Sequence, residues 1–578
     1  MTDTHEDVIL DINDLRVEFG TDAGPVEAVK GVDIRIRRGT TTCIVGESGS
    51  GKSVTARSIL QVVGHPGRIT GGNIDFWETP EAEPVDILSL GESSPQMRDI
   101  RGAKISLIFQ EPMASLSPVH TIGDQISEVL LTHEGIKPKD SRQRIIDELA
   151  RVGIPKPEER IDAYTFQLSG GMRQRAMIAM ALISRPALVI ADEPTTALDV
   201  TTQAQILDLL KELKSTLGMT LLFITHDLGV VAEIADDVVV MRDGEVVEQG
   251  PVRSIFHNPQ HEYTKKLLGS MPERWADDGT LEVSSPAADA DDDAGPSSIL
   301  EIKDLTMRFE TLAGKLFGKK SKESITAVNG VSLAIPEGST VGLVGESGCG
   351  KTTLGRTVLR AYEPTSGQLI YRRADNSTVD LAQLRPRELL PYRGEIRMVF
   401  QDPYGSLNPR MTVEEVIGEP LVVAKVQKAE IRERVRDMLV RVGLDPSMAS
   451  RYPHAFSGGQ RQRISIARAL ITQPRLVVAD EAVSALDASV RTQVLELMGE
   501  LQQELGLTYL FISHDLSVVR QLCDEVAVMY FGEIVEHRPT EELFEDPQHD
   551  YTRALLSAVP VSDPDERGKQ RRIIYRKK

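Results

Sequence analysis

Cysteine is scarce in this chain. Its 578 residues include three, Cys43, Cys349 and Cys523. They lie too far apart for a disulfide framework or a zinc knuckle, which points to a reducing compartment. Long apolar runs are missing as well. No stretch of about 18 uninterrupted apolar residues occurs, so no segment is expected to span a bilayer. The N-terminal MTDTHEDVILDIND is acidic and has no apolar centre, so it does not read as a secretory signal. Positive charge is in deficit: 66 Lys and Arg stand against 86 Asp and Glu, a formal charge of −20. That balance disfavours a long nucleic-acid groove, which needs clustered basic charge, and leaves only a local basic patch open. What remains is the mix of a globular protein, 40% hydrophobic and 26% charged. A chain of this length holds about two to four domains.

The chain repeats itself. VGESGSGKS at 45–53 returns as VGESGCGKT at 344–352, and IFQEPMASLSP at 108–118 as VFQDPYGSLNP at 399–409. LSGGMRQR at 168–175 returns as FSGGQRQR, ADEPTTALD at 191–199 as ADEAVSALD, FITHDL as FISHDL, and NPQHEYTKKLL as DPQHDYTRALL. Ser169/Ser457, Asp192/Asp480, His226/His514 and His261/His549 are each 288 residues apart. A spacing held over that length means that one fold occurs twice. The second half gains a short insertion near LAGKLFGKKSKES, before its phosphate loop. The expected organisation is a first domain over 1–272, a linker over 273–298, a second domain over 299–562 and a basic tail over 563–578. The linker, rich in Ala, Asp, Ser and Pro, reads as a solvated connector, with an acidic regulatory segment as the alternative.

Each half reads as an α/β core with a largely helical insertion. ALVIADEP and MTLLFITHD are short, nearly continuous apolar runs, as expected of parallel strands buried on both faces. Between Gln110 and Ser169 the pattern turns helical: Ile145, Leu149 and Val152 fall at i, i+4 and i+7, and Ile431, Val435, Met438 and Val442 fall on one face in the second half.

The chemistry sits in a few motifs. Gly46, Glu47, Ser48, Gly49, Ser50, Gly51, Lys52 and Ser53 match G-x-x-x-x-G-K-[ST] between a strand and a helix, the context of a phosphate-binding P-loop. Gly345, Glu346, Ser347, Gly348, Cys349, Gly350, Lys351 and Thr352 repeat it. Glycines let the backbone wrap phosphates, with N–H groups aimed inward at a helix N-terminus. Lys52 and Lys351 are expected to reach the β- and γ-phosphates, Ser53 and Thr352 to hold Mg²⁺. One such match also fits an incidental glycine turn; two in matching contexts do not. Asp192 and Asp480 end apolar strands and are placed for Mg²⁺, and the adjacent Glu193 and Glu481 for orienting or deprotonating water, although an acid there also fits a helix cap. Ser169, Gly170 and Gly171, and Ser457, Gly458 and Gly459, open helices whose free N–H groups form a second anion site; each serine is also a good N-cap. A thiol at position 349, beside Lys351 and a helix N-terminus, is expected to favour the thiolate, or else to be an inert residue that fits the turn.

P-loop, glutamine after a strand, [LF]SGG[MQ]RQR, Asp-Glu, TALD/SALD and Ser/Thr-His-Asp, in this order, resemble the nucleotide-binding domains of ABC transporters over nearly the whole chain. The resemblance implies two ATP molecules sandwiched head to tail. One site would join Lys52, Ser53, Gln110, Asp192, Glu193 and His226 to Ser457 and Gly459. The other would join Lys351, Thr352, Gln401, Asp480, Glu481 and His514 to Ser169 and Gly171. It gives Gln110 and Gln401 the sensing of γ-phosphate and Mg²⁺, and His226 and His514 the switch contact to the γ-phosphate. Phe19 and Phe309, on the first strand of each half, would stack on adenine, with an edge-strand core role as the alternative.

FQEPM-SL-P, FQDP-GSLNP, PQHEYTKKLL and PQHDYTRALL further resemble the peptide- and nickel-type importers, as a fused tandem subunit of bacterial or archaeal origin. That implies a peripheral protein on the cytoplasmic face of the inner membrane. Its partners would be two integral-membrane permeases, docked near Gln110–Pro118 and Gln401–Pro409, and through them an extracytoplasmic solute-binding protein, with no nucleic acid. Many members of that family carry a cysteine-rich segment after the YT-x-x-LL helix, and some hold an iron–sulfur cluster there; none is present here, so no cluster is expected. Ala482 replaces Pro194 of the first half without removing a catalytic group. An exporter motor and a non-transport tandem ABC ATPase are the alternatives. The transported solute does not touch such a subunit and leaves no mark in its sequence.

Overall fold

A computed structural model of the chain describes residues 7–21, 24–110, 115–196, 198–271, 297–312, 322–484, 486–569 and 571–575. Most of the linker, 273–296, and the inserted stretch 313–321 lie outside these residues. The chain divides into two compact units. The first comprises Met1–Leu198, Thr202–Arg274 and Pro560–Gln570; the second comprises Asp199–Thr201, Trp275–Val559 and Arg571–Lys578.

Among the described residues of the first unit, ten strands run in chain order. They are β1 (Val8–Thr21), β2 (Gly24–Arg37), β3 (Thr41–Val45), β4 (Gly67–Phe76), β5 (Val85–Asp86), β6 (Ile105–Ile108), β7 (Leu188–Asp192), β8 (Thr220–Ile224), β9 (Asp237–Arg242) and β10 (Glu245–Pro251). They form a four-stranded antiparallel sheet, β2-β1-β4-β5, and a six-stranded sheet, β10-β9-β3-β8-β7-β6. The pairs from β9 to β6 are parallel, and β10 adds an antiparallel edge. β3, β7 and β8 are buried at every residue. Their unbroken apolar runs follow from burial on both faces, whereas β1 alternates buried and accessible positions because one of its faces is wet.

The second unit repeats this. Its strands are β11 (Ser298–Leu312), β12 (Lys322–Pro336), β13 (Thr340–Val344), β14 (Ser366–Arg372), β15 (Thr378–Asp380), β16 (Ile396–Val399), β17 (Leu476–Asp480), β18 (Thr508–Ile512), β19 (Glu525–Tyr530) and β20 (Glu533–Pro539). The orders β12-β11-β14-β15 and β16-β17-β18-β13-β19-β20 copy those of the first unit.

The helical insertions are Ile122–Glu134 and Pro138–Arg151 in the first unit and Val413–Val423 and Lys428–Arg441 in the second. The first helix of each insertion starts at a capping box, Thr121 with Asp124 and Thr412 with Glu415. Ile145, Leu149 and Val152, and Ile431, Val435, Met438 and Val442, are buried as their spacing requires. Each fully buried aliphatic side chain contributes about 1.5–3 kcal/mol.

The C-terminal stretch Pro560–Gln570 groups with the first unit rather than with the domain that precedes it. The Arg567 guanidinium donates to the carbonyls of Val231, Ala232 and Ala235, where the helix Leu228–Ile234 ends. Asp563 and Asp565 pair with His257 and Arg253 at 3.1 and 2.8 Å.

Candidate nucleotide sites

In a parallel sheet, ligands bind beyond the carboxyl ends of the strands. β3, with β8 and β9 on either side, delivers the first P-loop there, followed by the helix Lys52–Ile59. The loop turns at Gly46, whose φ is 150°. A Cβ at this position would lie 2.1 Å from the Met241 carbonyl, so no other residue fits. Gly345 repeats this, with φ 148° and the Met529 carbonyl at 2.2 Å. Lys52 is buried and aims its Nζ into the loop, donating to the carbonyls of Gly46 at 2.7 Å and Glu47 at 2.8 Å. Lys351 does the same at 2.6 and 2.9 Å.

The Ser53 hydroxyl donates to Asp192 Oδ1 at 2.7 Å, and Thr352 to Asp480 Oδ1 at 3.0 Å. Both aspartates are buried at the ends of β7 and β17, and burial pushes each carboxyl up despite those hydroxyls. Glu193 and Glu481 come next in left-handed backbone, each with φ 48°. Such a conformation costs a non-glycine residue about 1–3 kcal/mol. It is held by the backbone N–H, which donates to the Ile224 carbonyl at 3.0 Å in one unit and to the Ile512 carbonyl at 2.9 Å in the other.

The twist brings together groups far apart in sequence. Gln110 Nε2 donates to Glu193 Oε2 at 2.8 Å, and His226 Nδ1 lies 3.3 Å from Glu193 Oε1. In the second unit Gln401 Nε2 donates to Glu481 Oε2 at 2.6 Å, and His514 Nδ1 lies 3.3 Å from Oε1. Burial pushes both glutamates up, but the adjacent histidine and the P-loop lysine outweigh it and hold both below the usual carboxylate range. Each site therefore sets an ionised carboxylate between a histidine and a glutamine amide, next to a hydroxyl–aspartate pair. That arrangement can accept a proton from water and offer oxygen ligands to a hard cation.

Sequence reading missed one difference between the halves. Thr196 Oγ1 donates to Glu193 Oε2 at 2.9 Å, whereas the equivalent Ser484 Oγ donates to the Glu481 carbonyl at 3.0 Å. TALD and SALD look equivalent as motifs; the side-chain torsion separates them.

Ser169 caps the helix Gly170–Leu182, accepting from the Met172 N–H at 3.3 Å, and Ser457 caps Gly458–Leu470, accepting from Gln460. Both readings of these serines, cap and anion site, share this geometry. Phe19 lies over Gly67 on β1, an inner strand paired on both sides rather than an edge strand, and Phe309 meets Tyr362 edge-on at 5.4 Å; neither joins the polar cluster. One expectation is corrected. Cys349 is 7% exposed, and burial pushes its thiol up more strongly than Lys351, 3.8 Å away, pulls it down. The thiolate is not favoured.

A sequence profile described as ABC transporter matches residues 29–196 and again 328–484. The chain belongs to this family. Its ABC domains bind and hydrolyse ATP. A second profile, described as the oligopeptide/dipeptide transporter C-terminal region, matches 247–293 and 535–577. Among similar curated proteins are those named glutathione import ATP-binding protein GsiA. The one from Salmonella typhimurium is 46% identical over 98% of this chain and 92% of its own length. The one from Escherichia coli K12 is 45% identical with the same coverage. Two solved ABC proteins align with parts of the chain. The cbiO1 protein of Clostridium perfringens is 27% identical over 45% of this chain and 95% of its own, with a TM-score of 0.37. MJ0796, described as a bacterial ABC transporter cassette, is 29% identical over 42% of this chain and 98% of its own, with a TM-score of 0.36. Among the described residues, no helix is long and apolar enough to cross a membrane.

Proposed function

We propose that this chain is the ATP-hydrolysing subunit of an importer for peptides or related small solutes, with Glu193 and Glu481 as the groups that take the proton from attacking water. The observation that carries the catalytic part is the Gln–Glu–His cluster, built to the same geometry twice. The importer part rests on the C-terminal region matched twice and on the naming of relatives that cover nearly the whole chain.

Phosphates enter the glycine-lined loops, where Lys52 and Lys351 exchange carbonyl partners for β- and γ-phosphate oxygens. Ser53, Asp192 and Gln110 would hold Mg²⁺ in the first unit, and Thr352, Asp480 and Gln401 in the second. The hydroxyl–carboxylate pairs are the hard oxygen donors that such an ion takes. Once bound, the ion neutralises charge that develops on the transferring phosphoryl group. Glu193 then orients water and accepts its proton, while His226 and Gln110 turn toward the γ-phosphate and hold it. The N–H groups after Ser169 and Ser457 offer a second phosphate contact. Phe19 and Phe309 are candidates for adenine stacking. The subunit would work through membrane permeases and, beyond them, a solute-binding protein, at the cytoplasmic face of the membrane. Glutathione is the first solute to try.

Glu193→Gln and Glu481→Gln, made singly in the full chain assembled with its permeases, test the assignment. Each is expected to lower ATP turnover, with loss of about 10²–10⁴-fold at the altered site, while equilibrium ATP binding is kept. Unchanged turnover in either variant, or binding lost together with turnover, overturns the assignment.

A further inference from the structure

PQHEYTKKLL and PQHDYTRALL mark the family, yet ATP chemistry as described uses none of their residues. In both units these segments make the same chain of contacts, and the chain ends at the phosphate loop. Glu248 of β10 accepts the N–H groups of Gln260 at 2.8 Å and His261 at 3.0 Å. Glu536 of β20 accepts those of Gln548 at 2.8 Å and His549 at 2.9 Å. The next link is the histidine itself: His261 Nδ1 accepts the Tyr263 N–H at 3.1 Å, and His549 Nδ1 the Tyr551 N–H at 3.1 Å. Each histidine thereby caps the helix that follows, Glu262–Gly269 or Asp550–Leu556.

This fixes the tyrosines, which are 5% and 1% exposed. The Tyr263 hydroxyl accepts the N–H of Glu47, and the Tyr551 hydroxyl the N–H of Glu346, each at 3.1 Å. Glu47 and Glu346 are the residues directly after the glycines that admit no Cβ, so the bonds fall on the loops where they turn. The rings are held differently. Arg242 ends β9 and lies 5.0 Å over the Tyr263 ring; Tyr530 ends β19 at the same place and lies 4.3 Å from the Tyr551 ring, with Tyr575 at 5.6 Å.

We propose that Tyr263 and Tyr551 are positioning residues for the two phosphate loops, through which the C-terminal region of each half sets its nucleotide affinity. A loop that must keep its N–H groups free for phosphate has few of its own bonds to hold it open. Each loop has one backbone bond across its turn, Ser50 N–H to the Glu47 carbonyl or Cys349 N–H to the Glu346 carbonyl, one carbonyl bonded from outside, Ser50 by the Gly244 N–H or Cys349 by the Gly532 N–H, and the lysine that must release its carbonyls to reach phosphate. An acceptor from outside the loop is independent of the ligand, so it preserves the turn while the lysine changes partners. A core phenol with no role in the loop would not need its oxygen on the same amide in both halves. Burial pushes the Tyr551 hydroxyl far up, so it stays a neutral phenol.

The inference rests on the phosphate-loop reading above, and the test separates the two. Tyr263→Phe is made in a Lys351→Ala background and Tyr551→Phe in a Lys52→Ala background, so that each reports on one loop of the full chain. The probes are Mg-ATP affinity, hydrogen exchange of the peptide spanning the loop, and thermal melting. Each Phe variant is expected to weaken ATP binding about threefold to tenfold, the worth of one hydrogen bond. It should speed exchange at Glu47 or Glu346 and raise KM while leaving kcat at saturating ATP near that of the background. If a Phe variant melts earlier, His261→Ala or His549→Ala takes its place. That change frees the first helical turn and keeps the hydroxyl, and faster loop exchange is again expected. Loop exchange and affinity equal to the background overturn this inference alone. A parent chain whose loops gain no protection from Mg-ATP overturns the site reading beneath it.

Discussion

Cys349 shows how much one position depends on its surroundings. By sequence it lies among positive groups, beside Lys351 and a helix start; in the fold its sulfur is enclosed, and desolvation of the charged form outweighs the attraction. Maleimide is expected to label native Cys349 at least about tenfold more slowly than a free thiol at the same pH, as it would Cys43, whose thiol is fully buried. Cys349→Ser should leave ATPase activity within about twofold, since Ser50 fills that place in the first loop. Labelling rates measured by mass spectrometry decide the point, and fast, ATP-protected labelling of Cys349 would restore the thiolate. Motif alone singles out Lys52, Ser53, Asp192 and Glu193, with their second copies, as the proposed site, because phosphate and metal chemistry accepts few residue types at these spacings. The Thr196 bond to Glu193 was not legible, since a hydroxyl torsion leaves no trace in a sequence.

At the scale of the element, periodicity carried the reading. Fully apolar runs became central parallel strands, and the helical stripes of the insertions became buried faces. What it could not supply was the reason for the PQH segments. Their polar residues turn inward on one carboxylate: burial alone would raise the Glu248 carboxyl, but the Gln260 N–H, the Thr264 hydroxyl and the His261 N–H hold it below its ordinary 4.5, and Thr552 with the Gln548 and His549 N–H groups does the same for Glu536. A carboxylate depressed by folding adds stability that is present above its unfolded value and is lost as pH falls through the folded one. Thermal stability of the full chain is therefore expected to decline as pH drops below 4.5. Glu248→Gln with Glu536→Gln should cost about 1–3 kcal/mol per site at neutral pH and flatten that decline. Melting curves from pH 7 to pH 3 check it; identical acid slopes in parent and variant would mean that these carboxylates are not the groups titrating.

At the scale of the molecule, duplication is the governing fact, and the two copies share strand order throughout. The surface proposed for permeases follows Gln110 and Gln401. Ser115 and Ser406 are half-buried there, while Val119 is 73% exposed and Asn408 is exposed. Cysteines introduced at Val119 or Asn408, in the subunit assembled with its permeases, are expected to crosslink to permease loops. Crosslinks confined to the C-terminal tail would refute docking at this face.

By itself the sequence determined the duplication, the α/β class, the nucleotide chemistry and most of the residues proposed to perform it. Repeated motifs and apolar periods are local, and ATP imposes them at short range. Only the tertiary structure decided that the Tyr263 and Tyr551 hydroxyls meet the phosphate loops, that Cys349 is buried, and that Pro560–Gln570 groups with the first unit. Each of these joins residues distant in sequence or turns on burial, and neither contact nor desolvation is written in the order of residues along a chain.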